Sequence, residues 1–266
     1  MKVHPALWIL IFLWSSCAHA RTYVVNSGGT GDFPNIQAAI GAAASGDTVA
    51  LTDGVFTGTG NRDVTFLGKA VVLRSLSGDS AACVLDAQGS SNGPHRAFSF
   101  LNAEGPNTVL DGLTIQGGWT GTGGGIYCGP ATGPTIRNCV IAGNVANNGG
   151  GLAVSSNGYP TILDCVFANN LASGDGGGVG YEFRPDSSHM TVSRCLFRAN
   201  TTYNHGGGVA VQGRNLLTDC IFIGNQASFG AGFFDCAGTS GTEFLRCTFV
   251  RNVAPGNGGA GGGGGT

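Results

Sequence analysis

Residues 161–170 read TILDCVFANN, and a glycine cluster follows at Gly176–Gly178. The same order returns along the chain: a cysteine, an aromatic or aliphatic residue two positions later, an asparagine five positions later, and then glycines. Successive cysteines lie 25 to 30 residues apart. The three columns comprise Cys139, Cys165, Cys195, Cys220 and Cys247; Ile141, Phe167, Phe197, Phe222 and Phe249; and Asn144, Asn170, Asn200, Asn225 and Asn252. A fixed order at a nearly fixed interval indicates a structural repeat.

Each unit holds two short β-like runs, as at Thr161–Phe167 and Leu152–Val154, and no helical pattern separates them. The unit is shorter than the propeller blade of about 40 residues. We therefore predict an all-β fold, a single-stranded right-handed parallel β-helix whose coils stack about 4.8 Å apart. An earlier, degenerate unit has Gly112 at the cysteine position and glycines at Gly123–Gly125.

Three segments divide the chain. Residues 1–20 resemble a signal peptide, with Lys2, the apolar run Ala6–Trp14 and a small-residue cleavage site at Ala18–Ala20. A membrane anchor is the alternative, but the run is short for one; lipoprotein processing at Cys17 is another. Residues 21–255 form the β-helix domain, and residues 256–266 are a glycine-rich tail, either a truncated coil or disordered.

The start of the β-helix domain predicts a cap. Pro34–Ala44 has the spacing of a short amphipathic helix, and such a helix would cover the open first coil. Strands are predicted next at Thr48–Leu51 and Ala70–Leu73. The mature chain contains no further apolar run long enough to cross a membrane, so we predict no transmembrane segment there.

Composition bears on the partners. Glycine accounts for 49 residues, only 11% of residues are charged, and the formal net charge is −2. The chain lacks the basic patches that bind nucleic acid, so we expect no nucleic-acid partner. The expected partners are a polysaccharide or a surface protein.

Two stretches resemble known families. Gly31–Ile40 (GDFPNIQAAI) with Gly46–Val49 (GDTV) resembles the start of secreted β-helix proteins of the pectin-lyase-like superfamily. Phe167–Asn170 (FANN) and Gly176–Val179 (GGGV) resemble the repeats of the chlamydial polymorphic membrane protein group. This resemblance implies export, to the extracellular space or to the bacterial cell surface or outer membrane. It further implies an adhesin-like role or, elsewhere in the superfamily, cleavage of acidic polysaccharides.

No catalytic motif of the superfamily's lyases, glycosidases or esterases is present in the sequence, so we predict no catalytic residues, metal or cofactor. The expected function is non-catalytic binding of a glycan or partner protein. The alternatives are a polysaccharide lyase or glycosidase of the pectate-lyase type, which alone would call for calcium, and a structural surface stalk.

Two groups of residues are candidates for ligand binding. One is the charged column just before the cysteines, comprising Asp164, Arg194, Asp219 and Arg246, with Asn138 and, one coil earlier, Asp111. Its alternative role is a ladder of surface ion pairs, which contribute little to stability. The other is the longest insertion between repeats, where extended loops on rigid scaffolds often bind ligands. It carries Glu182, Arg184, Asp186 and His189.

The cysteine, phenylalanine and asparagine columns are expected to have structural roles. Phenylalanines should stack and asparagine amides should bond from coil to coil. Cysteines beside buried phenylalanines favour buried thiols over disulfides. Apolar residues directly after the cysteines, such as Val140 and Val166, are either covered or turned outward by a bend.

Overall fold

The computed structural model describes residues 19–182, 189–236, 241–256 and 261–263. They form a right-handed parallel β-solenoid of about eight turns, which confirms the predicted fold class. Each typical coil adds one strand to each of three parallel sheets, here called sheets 1, 2 and 3 in coil order. The predicted signal peptide lies almost entirely outside the described residues, as does Cys17. Among the described helices, none has the length and apolar character that a membrane crossing requires.

Strands are numbered in chain order. Sheet 1 contains β1 (Thr22–Val25), β2 (Thr48–Leu51), β5 (Val72–Ser75), β8 (Val109–Asp111), β11 (Thr135–Arg137), β15 (Thr161–Leu163), β19 (Thr191–Ser193), β23 (Leu216–Thr218) and β26 (Glu243–Leu245). Sheet 2 contains β3 (Gly54–Phe56), β6 (Cys83–Asp86), β9 (Thr114–Gln116), β12 (Val140–Ala142), β16 (Val166–Ala168), β20 (Leu196–Arg198), β24 (Ile221–Ile223) and β27 (Thr248–Val250).

Sheet 3 and a small strip complete the coil. Sheet 3 contains β4 (Val64–Thr65), β7 (Phe98–Phe100), β10 (Ile126–Cys128), β14 (Leu152–Val154), β18 (Val179–Tyr181), β22 (Val209–Val211), β25 (Phe233–Asp235) and β28 (Gly261–Gly263). The strip contains β13 (Val145–Ala146), β17 (Leu171–Ala172) and β21 (Thr201–Thr202). Because β28 pairs with β25, the described part of the glycine-rich tail adds a further strand to sheet 3.

The capping helix is present as α1 (Ile36–Ala42), shorter than the predicted Pro34–Ala44. Asn35 is extended and its side chain accepts a hydrogen bond from the N–H of Ala38, so the helix starts after it. At the other end Ala43 is extended again. The apolar stripe of α1 is buried against the first coil.

The cysteine run is two strands, so the prediction of one continuous run over Thr161–Phe167 is wrong. Asp164 has φ +54°, a left-handed conformation that bends the chain between β15 and β16. The bend leaves both Cys165 and Phe167 buried and turns Val166 outward, half-buried. Three sheets therefore form where the sequence indicated two runs.

The strand pairing also corrects two predictions: the alignment of the degenerate unit at Gly112 and the bounds of the strand at Ala70–Leu73. Asp111 lies opposite Arg137, so Gly112 occupies the left-handed position of Asn138, with φ +69°. Buried Leu113 then stands where later coils have cysteine. The strand predicted at Ala70–Leu73 begins and ends two residues later, as β5, because it pairs in register with β2.

The interior consists of continuous columns. Phe167, Phe197, Phe222 and Phe249 stack with successive ring centroids 5.0, 4.8 and 4.6 Å apart. Each asparagine amide donates to the side-chain oxygen of the asparagine in the next coil, over 2.9 to 3.1 Å, from Asn144 through to Asn252. That oxygen also accepts the backbone N–H of the preceding asparagine. All of these amides are therefore hydrogen-bonded along the stack.

None of the eight described cysteines forms a disulfide, and six are buried. The Cys165 thiol donates to the carbonyl of Leu163 over 3.2 Å, within its own coil. Burial raises the pKa of Cys165 and of Cys128 well above the usual thiol range. Protonated, buried thiols are poor nucleophiles, so these cysteines act as small apolar side chains.

Candidate functional site

One open cleft lies on the outer face of sheet 3. Tyr127, in the middle of β10, points outward between two buried neighbours. Its hydroxyl donates a hydrogen bond to the carboxylate of Glu182, which directly follows β18 two coils further on. The intervening coil has the small residue Ala153 opposite Tyr127, which leaves room for the phenol to reach Glu182.

A cation completes the cleft. Arg96 precedes β7, in the coil before Tyr127, and its guanidinium carbon lies 5.1 Å from the centre of the Tyr127 ring. This is the geometry of a cation–π contact. The backbone N–H of Arg96 donates to Asp63 over 3.1 Å, and Nδ1 of His95 lies 2.6 Å from the other oxygen of that carboxylate.

Burial shapes the electrostatics. Desolvation lowers the pKa of Arg96, partly opposed by the negative charges of Asp63 and Glu182. Desolvation, followed by the hydrogen bond to Glu182, raises the pKa of Tyr127 to about 12. The phenol is therefore protonated at neutral pH and serves as a hydrogen-bond donor.

The cleft measures about 440 Å³, within the range of small-molecule sites. It offers a cation, a carboxylate, hydroxyl groups and an apolar surface within one opening. Its lining residues are Arg96, Ser99, Leu101, Gly121, Thr122, Tyr127 and Glu182.

A column of residues connects this cleft to later coils. These residues directly precede the glycine clusters, and we call them the turn column: Thr122, Asn148, Asp175, His205 and Phe229. Parallel bridges join Thr122 to Asn148 and His205 to Phe229. The Asn148 side chain accepts the N–H of Asp175 over 2.9 Å. The turn column thus begins at the cleft wall and continues along the solenoid.

Asp175 is the most connected member of the turn column. Its Oδ1 lies 2.8 Å from Nδ1 of His205 and accepts the Asn204 amide over 2.8 Å. Its Oδ2 accepts the Tyr181 hydroxyl over 2.9 Å. Tyr181 is the last residue of β18 and directly precedes Glu182 of the Tyr127 cleft.

The predicted charged column lies elsewhere, at the corner between sheets 1 and 2. Arg194 binds Asp164 through two hydrogen bonds of 2.6 and 2.7 Å, and Arg246 binds Asp219 likewise at 2.6 and 2.8 Å. Hydrogen bonds from these guanidinium groups lower the pKa of both carboxyls. The four residues are thus already paired with one another.

Asp111 is not part of the charged column, contrary to the prediction, because the register sets it opposite Arg137. Arg137 and Asn138 both donate to its carboxylate, over 3.0 and 2.7 Å.

Among the described residues of the predicted insertion, Glu182 lines the cleft. Arg184 and Asp186 lie outside the described residues. His189 follows them, and its backbone N–H donates to the carbonyl of Gly158 over 3.2 Å.

Four residues were not predicted from the sequence: Arg96, Tyr127, Asp175 and His205. The turn column has a sequence signal, because its members directly precede the glycine clusters, but the residue type differs in every coil. Arg96 precedes the clear repeats and carries no periodic signal. Across the residues that the structure describes, no group of three or more His, Cys, Asp or Glu side chains is placed to hold a metal ion.

The chain matches one family model and resembles several solved structures in fold. The family model for the right handed beta helix region matches residues 98–265. Pectate lyase Pel9A is 12% identical, with 90% of this chain and 79% of that chain covered at a TM-score of 0.49. Pectin methylesterase from Aspergillus niger is 12% identical, with 95% and 91% covered at 0.48. Alginate lyase from Paenibacillus sp. is 14% identical, with 86% and 98% covered at 0.34. The search of curated protein sequences finds no significant match.

Proposed function

We propose a function for this chain, which belongs to the right-handed β-helix family. It is an exported protein that binds a neutral glycan and does not cleave it. The binding site is the cleft of Arg96, Tyr127 and Glu182. Export is supported by the signal-like residues 1–20, and it would bring the protein to the extracellular space or the cell surface.

The observation that carries the proposal is the combination of groups in one cleft of about 440 Å³. A sugar presents hydroxyl groups, which both donate and accept hydrogen bonds, and an apolar ring face. Glu182 is an acceptor, Arg96 is a donor, and Tyr127 offers an aromatic ring. Sites for small ligands combine apolar surface with a few such polar groups.

The charges favour a neutral sugar. The Arg96 guanidinium lines the same cleft as the Glu182 carboxylate, and the negative charges of Glu182 and Asp63 both act on it. Among the described residues that line the cleft, Arg96 is the one cation, so an anionic sugar would meet this negative charge without a second cation to bind it. A neutral sugar avoids that repulsion, because opposite charges in the cleft already compensate the arginine.

Tyr127 favours binding over elimination. A tyrosine can accept a proton from the substrate only when its own phenol is already deprotonated, and the pKa of Tyr127 is raised to about 12. The phenol therefore keeps its proton at neutral pH. A polysaccharide lyase remains the second candidate, because the cleft also holds a cation, Arg96, and a carboxylate that could accept a proton, Glu182.

Binding to immobilised neutral oligosaccharides, such as cello-, xylo- and manno-oligosaccharides, tests the proposal, with oligogalacturonate as the acidic comparison. We expect neutral ligands to bind, and Tyr127→Ala to weaken binding roughly tenfold, equivalent to about 1.4 kcal/mol. Tyr159→Ala is the matched control, because Tyr159 is 41% exposed in the loop between β14 and β15.

Three outcomes would contradict the proposal. Binding of oligogalacturonate but of no neutral oligosaccharide would show that the cleft prefers an anionic sugar. Release of unsaturated sugar ends would establish the lyase. Failure of folded protein to bind any oligosaccharide would favour a protein-binding adhesin or a structural stalk.

A further inference from the structure

An aromatic surface lies at the far end of the turn column. The His205 ring stacks on Phe234, with centroids 4.2 Å apart and planes 29° apart, and lies 5.5 Å from Phe229. Phe229 is 39% exposed, and its carbonyl accepts the N–H of Gly206. We call the three aromatic residues, His205, Phe229 and Phe234, the aromatic shelf.

The sequence places each shelf residue by register. Phe229 follows His205 in the turn column, one coil further on. Phe234 is the middle residue of β25 and pairs with Ala210 of β22, so it belongs to the outward-facing position of sheet 3. That position points away from the core. It holds Tyr127 in β10 and, in the three coils between, small residues that are themselves buried, Ala153, Gly180 and Ala210. Aromatic rings therefore stand at both ends of this outer row.

Polar groups hold the shelf. Asp175 lies 2.8 Å from Nδ1 of His205 and also accepts the Asn204 amide and the Tyr181 hydroxyl. These contacts fix the His205 ring against Phe234. A rigid aromatic surface beside hydrogen-bonding groups suits the apolar face of a sugar ring, since little side-chain freedom is lost on binding.

We propose that the aromatic shelf is a second sugar subsite, and that the ligand is a chain of neutral sugar units lying along the solenoid axis. This inference rests on the proposed function of the Tyr127 cleft. The shelf lies three to four coils from Tyr127 on the same sheet, about 14–19 Å at the strand spacing. The turn column joins the two, beginning at Thr122 in the cleft wall.

Affinity measured against ligand length tests the second subsite. Calorimetry would use one neutral oligosaccharide series, from disaccharide to hexasaccharide, chosen as the best binder among the cello, xylo and manno series. For the natural protein we expect affinity to rise with length. Phe229→Ala should lower hexasaccharide affinity roughly tenfold and leave disaccharide affinity unchanged, because short ligands occupy the cleft alone.

Two further variants keep the test decisive. Phe229→Leu retains apolar volume but loses the aromatic face. It should lower hexasaccharide affinity as much as Phe229→Ala does, because the sugar stacks on the ring. Tyr159→Ala, with similar exposure, should leave the length dependence intact. Unchanged length dependence in folded Phe229→Ala would overturn the second subsite while leaving the cleft proposal standing. Absence of binding at every length would overturn the proposed function itself.

Discussion

Two columns in this solenoid stack one residue per coil and yet differ in kind. The interior asparagine ladder has the same residue in five coils, from Asn144 to Asn252. The turn column has a different residue in every coil, from Thr122 to Phe229. The comparison indicates that a residue type repeated in every coil reflects a packing requirement. A position whose residue type changes from coil to coil is one where a ligand-binding site can form.

The physical difference is access to water. Asn200 is buried, and its amide must satisfy donors and acceptors from both neighbouring coils. A side chain of another length or chemistry would leave buried groups unpaired. In the turn column, Asp175 and His205 retain side-chain exposure of 15% and 28%. Water can replace a lost partner there, so the chemistry is free to vary.

The largest effect is expected in the asparagine ladder. Asn200→Ala removes the side-chain bonds to Phe167 and Asn225. It also removes the oxygen to which Asn170 donates from its backbone N–H and from one amide N–H. We expect the free energy of unfolding to fall by about 3–4 kcal/mol, since several buried groups lose partners together. Denaturant unfolding followed by circular dichroism measures this. Exposed Asn92→Ala is the control, and equal losses in both variants would contradict the comparison.

A smaller stability effect is expected in the turn column. Asp175→Ala removes contacts to His205, Asn204 and Tyr181, but nearby water can compensate in part. We expect the free energy of unfolding to fall by about 1–2 kcal/mol. Hexasaccharide affinity should fall as well, because the shelf loses the group that orients His205. A stability loss as large as that of Asn200→Ala would show that the turn column is also a packing requirement.

The smallest effect is expected in the exposed charged column. The Arg246 guanidinium lowers the pKa of Asp219 on folding. The resulting stabilisation is fully present above the unfolded carboxyl pKa of about 3.9, and it is lost as pH falls through the lower folded value. The free energy of unfolding of Asp219→Asn should therefore be lower than that of the natural protein above pH ~4, and the two values should converge in stronger acid. Denaturant unfolding at a series of pH values measures this. A difference that persists unchanged in acid would refute this origin.

Much of the fold could be predicted because each interior position recurs. The regular spacing of the cysteines from Cys139 to Cys247 and the matching phenylalanines indicate stacked coils from the sequence alone. A bend was one of two alternatives for the apolar residues after the cysteines, but its position at Asp164 was not predicted. Arg194 and Arg246 share that position, and arginine gives no sign of a left-handed conformation. Gly112 and Asn138 share that position too, and their residue types are compatible with a left-handed bend.

The candidate site was less predictable. Glu182 was identified through the length of its insertion, but its partners Arg96 and Tyr127 come from earlier coils. No local pattern connects residues separated by 31 or 55 positions in sequence. Their proximity follows from coil register, which depends on the sum of all the intervening turn lengths.

The sequence by itself determined the repeat, the parallel β-helix, the capping helix and the interior columns, because each depends on local spacing that every coil repeats. Only the tertiary structure decided the three-sheet cross-section, the pairing of Asp111 with Arg137, and the meeting of Arg96, Tyr127 and Glu182. These depend on left-handed bends and on register, and both are set when neighbouring coils pair their backbones and bury their side chains together.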